Sequence, residues 1–295
     1  MKNLGFGMMR LPMLSGPTDF DYAQLNRMVD AFLAAGYTCF DNSYVYHEGK
    51  SEEATRKALV ERHPRDSFTV ATKFPTFLDI PEDRIEETFR SQLDNPGVDF
   101  IDYYLLHNIS TVNYDGYNGK GGIVKTTHLF DHAKKWQEDG KIHHLGISFH
   151  SSARLLDRVL TEHPEIEFVQ IAVNPIDWDS ELVHAELCYD VIRKHGRKVI
   201  IMEAVKGGGF ARLPEEAEAV LKAVHPDWSI ASWSVRFCLE KEDVIAVLSG
   251  MSTLEQVLDN TKTSDEAQPL TEEEQHPIMV PKNRTADMQK LVNMV

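Results

Sequence analysis

Apolar side chains recur along this chain with two alternating periods. Over residues 21–35, Tyr22, Leu25, Met28, Val29, Phe32 and Leu33 share one helical face, and Gly36 follows as a C-cap. Residues 37–41 form a short run of aromatic and β-branched side chains, a strand signature. Helical spacing over 52–62 then precedes a strand at 68–73, and Pro81 opens a helix to residue 93 ahead of a strand at 100–107. Helix–strand pairs follow at 129–138 and 142–148, at 152–161 and 167–173, and at 181–194 and 198–202. A helical region over 214–239 leads to a last strand at 244–248. Ser252 and Glu255 have capping-box spacing for one more helix.

With residues 4–9 as the first strand, eight strands alternate with helices. This pattern predicts an α/β fold of the (β/α)8 TIM-barrel type, with a doubly wound open sheet as its rival. No Pro/Gly/Ser-rich linker divides the chain, so residues 1–295 are expected to form a single domain, with 265–295 as a C-terminal tail. Residues 108–125, rich in Gly and Asn, follow a strand where barrel enzymes carry substrate loops. Tyr114 and Tyr117 are expected to wall the pocket there.

In a barrel, the side chains at the carboxyl ends of strands point into the active site. Here those ends read Asp41, Lys73, His107, Ser148, Asn174 and Glu203, and Tyr46 lies five residues past Asp41. The set suits protonation of an oxygen while hydride arrives at its carbon. A free phenol, with a pKa near 10, is a poor donor at neutral pH. An adjacent ammonium lowers that value, a carboxylate keeps the ammonium charged, and a neutral imidazole holds a carbonyl. Singly, each residue has a plainer role. Asp41 suits a helix cap, Tyr44 or Tyr46 amphipathic packing, Lys73 a snorkelling strand end, and His107 a core position. On consecutive strand ends, the joint reading prevails.

Composition narrows the partners. The net charge of −15 argues against nucleic acid and against an anionic membrane surface. No apolar run approaches a membrane span, and Arg10 and Pro12 interrupt the start before signal-peptide length. Cys39, Cys188 and Cys238 form no CxxC pair, which fits free thiols in the cytoplasm. The thirteen histidines place no HxH pair on the first strand, so no metal is expected. Oligomeric state is not legible.

The runs GFGMMRLP, FDNSYVYHEGKSEE, ATKFP, VDFIDYYLLHN, GKIHHLGIS, VQIAVNPIDWD, VIIMEAVKGG and LSGMSTLEQVLDN resemble the aldo-keto reductases, in order, over nearly the whole chain. The resemblance implies a catalytic tetrad of Asp41, Tyr46, Lys73 and His107. It also implies NADP(H) or NAD(H) and a small-molecule carbonyl substrate. Ser148, Gln170 and Asn174 would position the carboxamide, with Asp41 touching the cofactor as well. Met202 stands where many members stack a tyrosine on nicotinamide. Val205, Lys206 and Gly207 match the pyrophosphate segment, and Gly250, Ser252, Gln256 and Asn260 the segment beyond the last strand. Gly250 and Gln256 occupy positions where many members carry the Lys and Arg that pair with the 2′-phosphate. That leaves NADPH against NADH open. The branch nearest in MMRLP and LSGMS often continues into a cysteine-rich extension, but no cysteine follows Cys238, so no iron–sulfur cluster is expected. Two other readings compete: a Schiff-base aldolase on Lys73, which the nearby Asp41 disfavours, and a cofactor-binding sensor or regulatory subunit with little turnover.

Overall fold

The computed structural model describes residues 2–117, 119 and 121–278. Eight strands, β1 (Leu4–Gly7), β2 (Cys39–Asp41), β3 (Thr69–Phe74), β4 (Ile101–Ile109), β5 (Ile142–Phe149), β6 (Phe168–Ala172), β7 (Lys198–Met202) and β8 (Val244–Gly250), pair in sequence order as a closed barrel. The closing pair decides between the two predicted architectures. β1 lies parallel to β8, with Leu4 opposite Val247 and Gly7 opposite Gly250, so the sheet has no edge. The fold is the (β/α)8 barrel.

The barrel lumen is filled rather than open. Ala71, Leu105, Phe168, Ile200, Ala246 and Leu248 form its core. Two glycines make room for large neighbours. A Cβ on Gly146 would lie 2.5 Å from the Phe168 ring, and one on Gly5 would lie 2.6 Å from Leu248. Such small-against-large pairing fills the interior at crystal-like density.

Outside the barrel, the helical stripes bury as their spacing predicts. Helix α1 (Tyr22–Ala34) presents Leu25, Met28, Val29 and Phe32 to the sheet. Phe32 meets Phe6 of β1 edge-to-face at 5.4 Å. Asp21 caps α1 by accepting from the Gln24 amide at 2.9 Å.

Several boundaries differ from expectation. The 52–62 helix is α2 (Ser51–Thr55) continuing into a π turn over Arg56–Val60. Two short helices, α4 (Thr111–Asp115) and α5 (Ile123–Thr126), fall in and at the edge of residues 108–125; α3 (Ile85–Asp94) starts later than Pro81, behind a 3-10 turn over Glu82–Arg84, and α6 (Leu129–Glu138) sits where predicted. After α7 (Ala153–Glu162), the 181–194 helix starts late, as α8 (Ala185–Lys194), behind a left-handed His184 at φ 57°. The 214–239 region divides into α9 (Glu215–Val224) and α10 (Ile230–Leu239). His225 stands before Pro226, which disfavours helical backbone there, and its φ of −132° is extended. Helix α11 (Leu254–Glu266) is capped by Thr253 with Gln256, one residue later than Ser252 with Glu255. The expected tail starts inside α11, continues into α12 (Glu272–Ile278), and beyond residue 278 lies outside the described residues. Among the described residues no helix is long and apolar enough to cross a membrane.

Candidate active site

Three strand ends bring the predicted tetrad together. Asp41 ends β2 and Lys73 lies near the end of β3, both almost fully buried. Lys73 Nζ donates to Asp41 Oδ2 at 2.7 Å, to the Asn42 carbonyl at 2.5 Å and to the Tyr46 hydroxyl at 3.4 Å. Burial alone would depress the ammonium, but Asp41 and Tyr46 outweigh it and raise its pKa, so Lys73 stays charged. Tyr46, from the loop after β2, meets the His107 ring edge-on at 6.3 Å. Of the two tyrosines in this loop, Tyr46 is the one that meets Lys73 among the resolved hydrogen bonds.

One expectation needs correction. Lys73 does pull the Tyr46 phenol down, but burial pushes it up by more, and the net shift is upward. The protonated phenol is therefore the resting form.

His107 is held in turn by Ser43 and by the backbone around it. Its Nδ1 lies 3.1 Å from the hydroxyl of Ser43, which is fully buried. The Ser43 proton finds no other acceptor among the resolved hydrogen bonds. A buried hydroxyl left without an acceptor is costly, so Ser43 donates to Nδ1. That assignment leaves the imidazole proton on Nε2. Burial, reinforced by Lys73 and His150, pushes His107 down to about 2, so the ring is neutral. Just beyond it, Asn108 adopts a left-handed backbone, φ 60°, where the β4–β5 register shifts. The Asn108 amide donates to Ser148 Oγ at 2.7 Å, and the Thr76 hydroxyl donates to the His107 carbonyl.

Behind β3 a second buried carboxylate escaped the sequence reading. Glu52 on α2 accepts from Thr72 at 2.6 Å, from Asn95 at 3.2 Å and from Gln92 at 3.5 Å. Gln92 also donates to the Lys73 carbonyl at 3.0 Å, which ties this cluster to the catalytic strand. Burial pushes the Glu52 carboxyl up, against these hydrogen bonds.

The expected cofactor residues divide into those left open and those already engaged. Ser148, near the end of β5, and Gln170, in the middle of β6, are buried. Gln170 Oε1 and Asp41 Oδ1 are buried without a hydrogen-bond partner, an arrangement that calls for donors from a ligand. Asn174 is different: its amide donates to Asp177 at 2.8 Å and to the Glu203 carbonyl at 3.1 Å, while its oxygen caps the Ile176 and Asp177 amides. Asn174 thus shapes the β6 loop, with its amide hydrogens already taken. Met202 ends β7, half-buried against the lumen core.

The loop after β7 carries Val205, Lys206 and Gly207, with Glu203, Lys206 and Gly207 all at positive φ. Lys206 is paired with Asp177 at 2.7 and 2.8 Å rather than free to attract an anion. Beyond β8, Gln256 uses its side chain to accept from the Ser252 amide at 2.7 Å and the Thr253 amide at 3.3 Å. Asn260 donates to Ser249 at 2.9 Å, and Ser252 Oγ donates to the Arg10 carbonyl at 2.8 Å. Gly250 lies directly under the Arg10 side chain. Arg10 stands in the MMRLP run just past β1, and only its nearness to a strand end marked it in the sequence.

The expected loop tyrosines do not meet at the mouth. Tyr114 is buried, donates to Glu162 of α7 at 2.5 Å and carries the Lys125 ammonium 4.0 Å above its ring. It fastens the loop to the helical layer. Tyr117 is 88% exposed. Phe77, after β3, instead packs on the His107 ring at 5.2 Å.

Comparison with known proteins adds to this geometry. The model of the "Aldo/keto reductase family" matches residues 3–278. "Aldo-keto reductase yakc [NADP(+)]" of Schizosaccharomyces pombe is 29% identical over 70% of this chain, an alignment that spans 58% of that protein's length. An aldo-keto reductase of Mycolicibacterium vanbaalenii is 27% identical over 85% of this chain and 81% of its own. The crystal structure of an aldo-keto reductase from Klebsiella pneumoniae in complex with NADPH superposes with a TM-score of 0.71 at 17% identity, covering 94% of this chain and 89% of the other.

Proposed function

The chain belongs to the aldo/keto reductase family, and from that premise we propose that it reduces an aldehyde or ketone to the alcohol, and runs the reverse oxidation, with NADP(H) or NAD(H). The observation that carries this reading is the buried Lys73 between Asp41 and Tyr46, with neutral His107 facing the phenol. The residues present fit a nicotinamide cofactor, because Asp41 Oδ1 and Gln170 Oε1 are buried acceptors in want of donors. A carboxamide and a ribose hydroxyl offer such donors. NADP is named for the fission-yeast relative and NADPH for the Klebsiella structure, which favours the phosphorylated form here. Free cysteines at 39, 188 and 238 are consistent with a cytoplasmic setting.

When bound, the cofactor supplies or accepts hydride at its nicotinamide ring. The protein's own part is proton and charge placement. His107 Nε2–H donates to the substrate carbonyl oxygen and orients it. The Tyr46 hydroxyl gives that oxygen its proton. Charge then develops on the phenolate oxygen, where Lys73, held charged by Asp41, stabilises it. The buried position of the pair keeps water from weakening that attraction.

Replacement of Tyr46 by Phe tests the assignment. Turnover with NADPH on a panel of aldehydes and ketones is expected to fall by about 100- to 10,000-fold, the usual share of a general acid. NADPH affinity, read by fluorescence titration, stays near that of the unsubstituted protein. Tyr44→Phe serves as control and keeps its activity. Near-normal rates in Tyr46→Phe would sink the mechanism.

A further inference from the structure

The cofactor is an anion, the protein carries a net charge of −15, and the lysine after β7 is already neutralised by Asp177. Gly250 and Gln256, beyond β8, add no positive charge. Where the β7 and β8 loops meet, the structure supplies a cation from the other end of the sequence.

Arg10 begins just past β1 and runs across both loops. The three atoms nearest a Cβ built on Gly250 are its Cδ, Cγ and Cβ, at 3.1, 3.2 and 3.3 Å. The guanidinium then reaches Gly207, where an added Cβ would lie 2.9 Å from Nη2. Its backbone is fixed as well, since Ser252 Oγ donates to the Arg10 carbonyl at 2.8 Å. Both glycines thus serve the same side chain: Gly250 lets the stem lie flat on the β8 loop, and Gly207 admits the charged head. Gly207 is further restricted by its φ of 61°.

Among the described residues no carboxylate lies within ion-pair distance of Arg10, and its side chain is exposed. The Glu203 carboxylate also approaches Gly207, its Oε2 3.6 Å from the same Cβ position. Arg212 approaches the next glycine, Gly208, at 3.5 Å, but does not figure among the neighbours of Gly250. Arg10 is therefore the cation shared by the two loops.

We propose that Arg10 binds the pyrophosphate of the nicotinamide cofactor, as the cation shared by the β7 and β8 loops. The planar fork suits phosphate oxygens, and its Nη2 lies beside Gly207, in the segment that the resemblance matches to the pyrophosphate. This inference rests on the proposed use of a nicotinamide cofactor. The bound anion is shared by NADPH and NADH, so Arg10 contributes equally to both and leaves discrimination between them to other groups.

Fluorescence titrations of NADPH and NADH onto the unsubstituted protein, Arg10→Met and Arg10→Lys test it. Arg10→Met keeps an unbranched stem on Gly250 and removes the charge. It is expected to weaken both cofactors by the same factor, about 10- to 100-fold, as loss of a charge-assisted hydrogen-bonded contact implies. Arg10→Lys recovers part of the affinity, and the urea midpoint of all three proteins is the same. Equal binding by Arg10→Met and the unsubstituted protein would overturn the proposal. A loss confined to NADPH would overturn the pyrophosphate assignment. If the unsubstituted protein binds neither cofactor, the functional reading itself fails, a distinct result.

Discussion

Lys73 shows why residue types at strand ends are informative. A lysine at the end of an apolar run is tolerable only with a partner, and Asp41 provides it at 2.7 Å in a site almost closed to water. Breaking that pair strands a buried carboxylate. Lys73→Met is therefore expected to lose turnover and to destabilise the fold by about 3–5 kcal/mol, measured by urea denaturation. Asp41→Asn relieves the stranded charge if combined with it. Ser43 makes a finer point. Its hydroxyl sets the His107 tautomer, so Ser43→Ala should reduce carbonyl kcat/KM by about tenfold, the worth of one hydrogen bond to a neutral group. Nitrogen-15 spectra of His107 would then show a mixture of tautomers, whereas a single Nε2–H form in the variant would remove Ser43 from the argument. Glu52 gives a pH signature of the opposite kind to a salt-bridged acid. Its folded pKa is raised by burial, so its contribution is complete below the unfolded value of about 4.3 and is lost as pH rises through the folded value. Glu52→Gln should flatten stability against pH across that window; an unchanged slope would place the titration elsewhere.

At the scale of elements, periodicity located the strands and most helices but not the breaks. The helical region expected over 214–239 breaks at His225, because the Pro226 ring disfavours helical backbone in the residue before it. That signal was present in the sequence and outweighed by the apolar spacing on both sides. The late start of α8 follows turns built around Asn174, whose bonds to Ile176 and Asp177 are local while its bond to the Glu203 carbonyl comes together only when β6 and β7 pair. The lumen offers a test of element packing. Gly146→Ala drives a methyl into the Phe168 ring, and the expected cost is about 1–3 kcal/mol in a chemical denaturation series. A neutral substitution would mean that the ring has room to move.

For the whole molecule, the acidic balance and the anionic cofactor pull in opposite directions. Long-range approach is opposed by the net charge of −15, while Arg10 acts only at contact. Screening extends over about 10 Å at 0.1 M salt. The association rate of NADPH in stopped-flow mixing is therefore expected to rise with moderate salt, and a steep fall would show that local positive charge governs the approach as well. Positive φ outside glycine is found at His47 and Glu48 after β2, Asn108 near the end of β4, and Glu203 with Lys206 after β7, as well as at His128, His184 and Asp243. Such conformations persist where the surrounding structure holds them, often around functional sites.

The sequence by itself determined the alternation of strands and helices, the count of eight, and the chemical types that end β2, β3 and β4. These follow from local spacing and from the cost of placing a charge at the end of an apolar run. Tertiary structure decided the rest. Closure of β1 on β8 separates a barrel from an open sheet, and it joins residues some 240 apart in the chain. The same closure carries Arg10 onto Gly250 and Gly207, while the pairing of β6 with β7 brings Lys206 to Asp177 and removes it as a free cation. Side-chain chemistry is written residue by residue, but which charges remain unpaired depends on distances that only the folded chain sets.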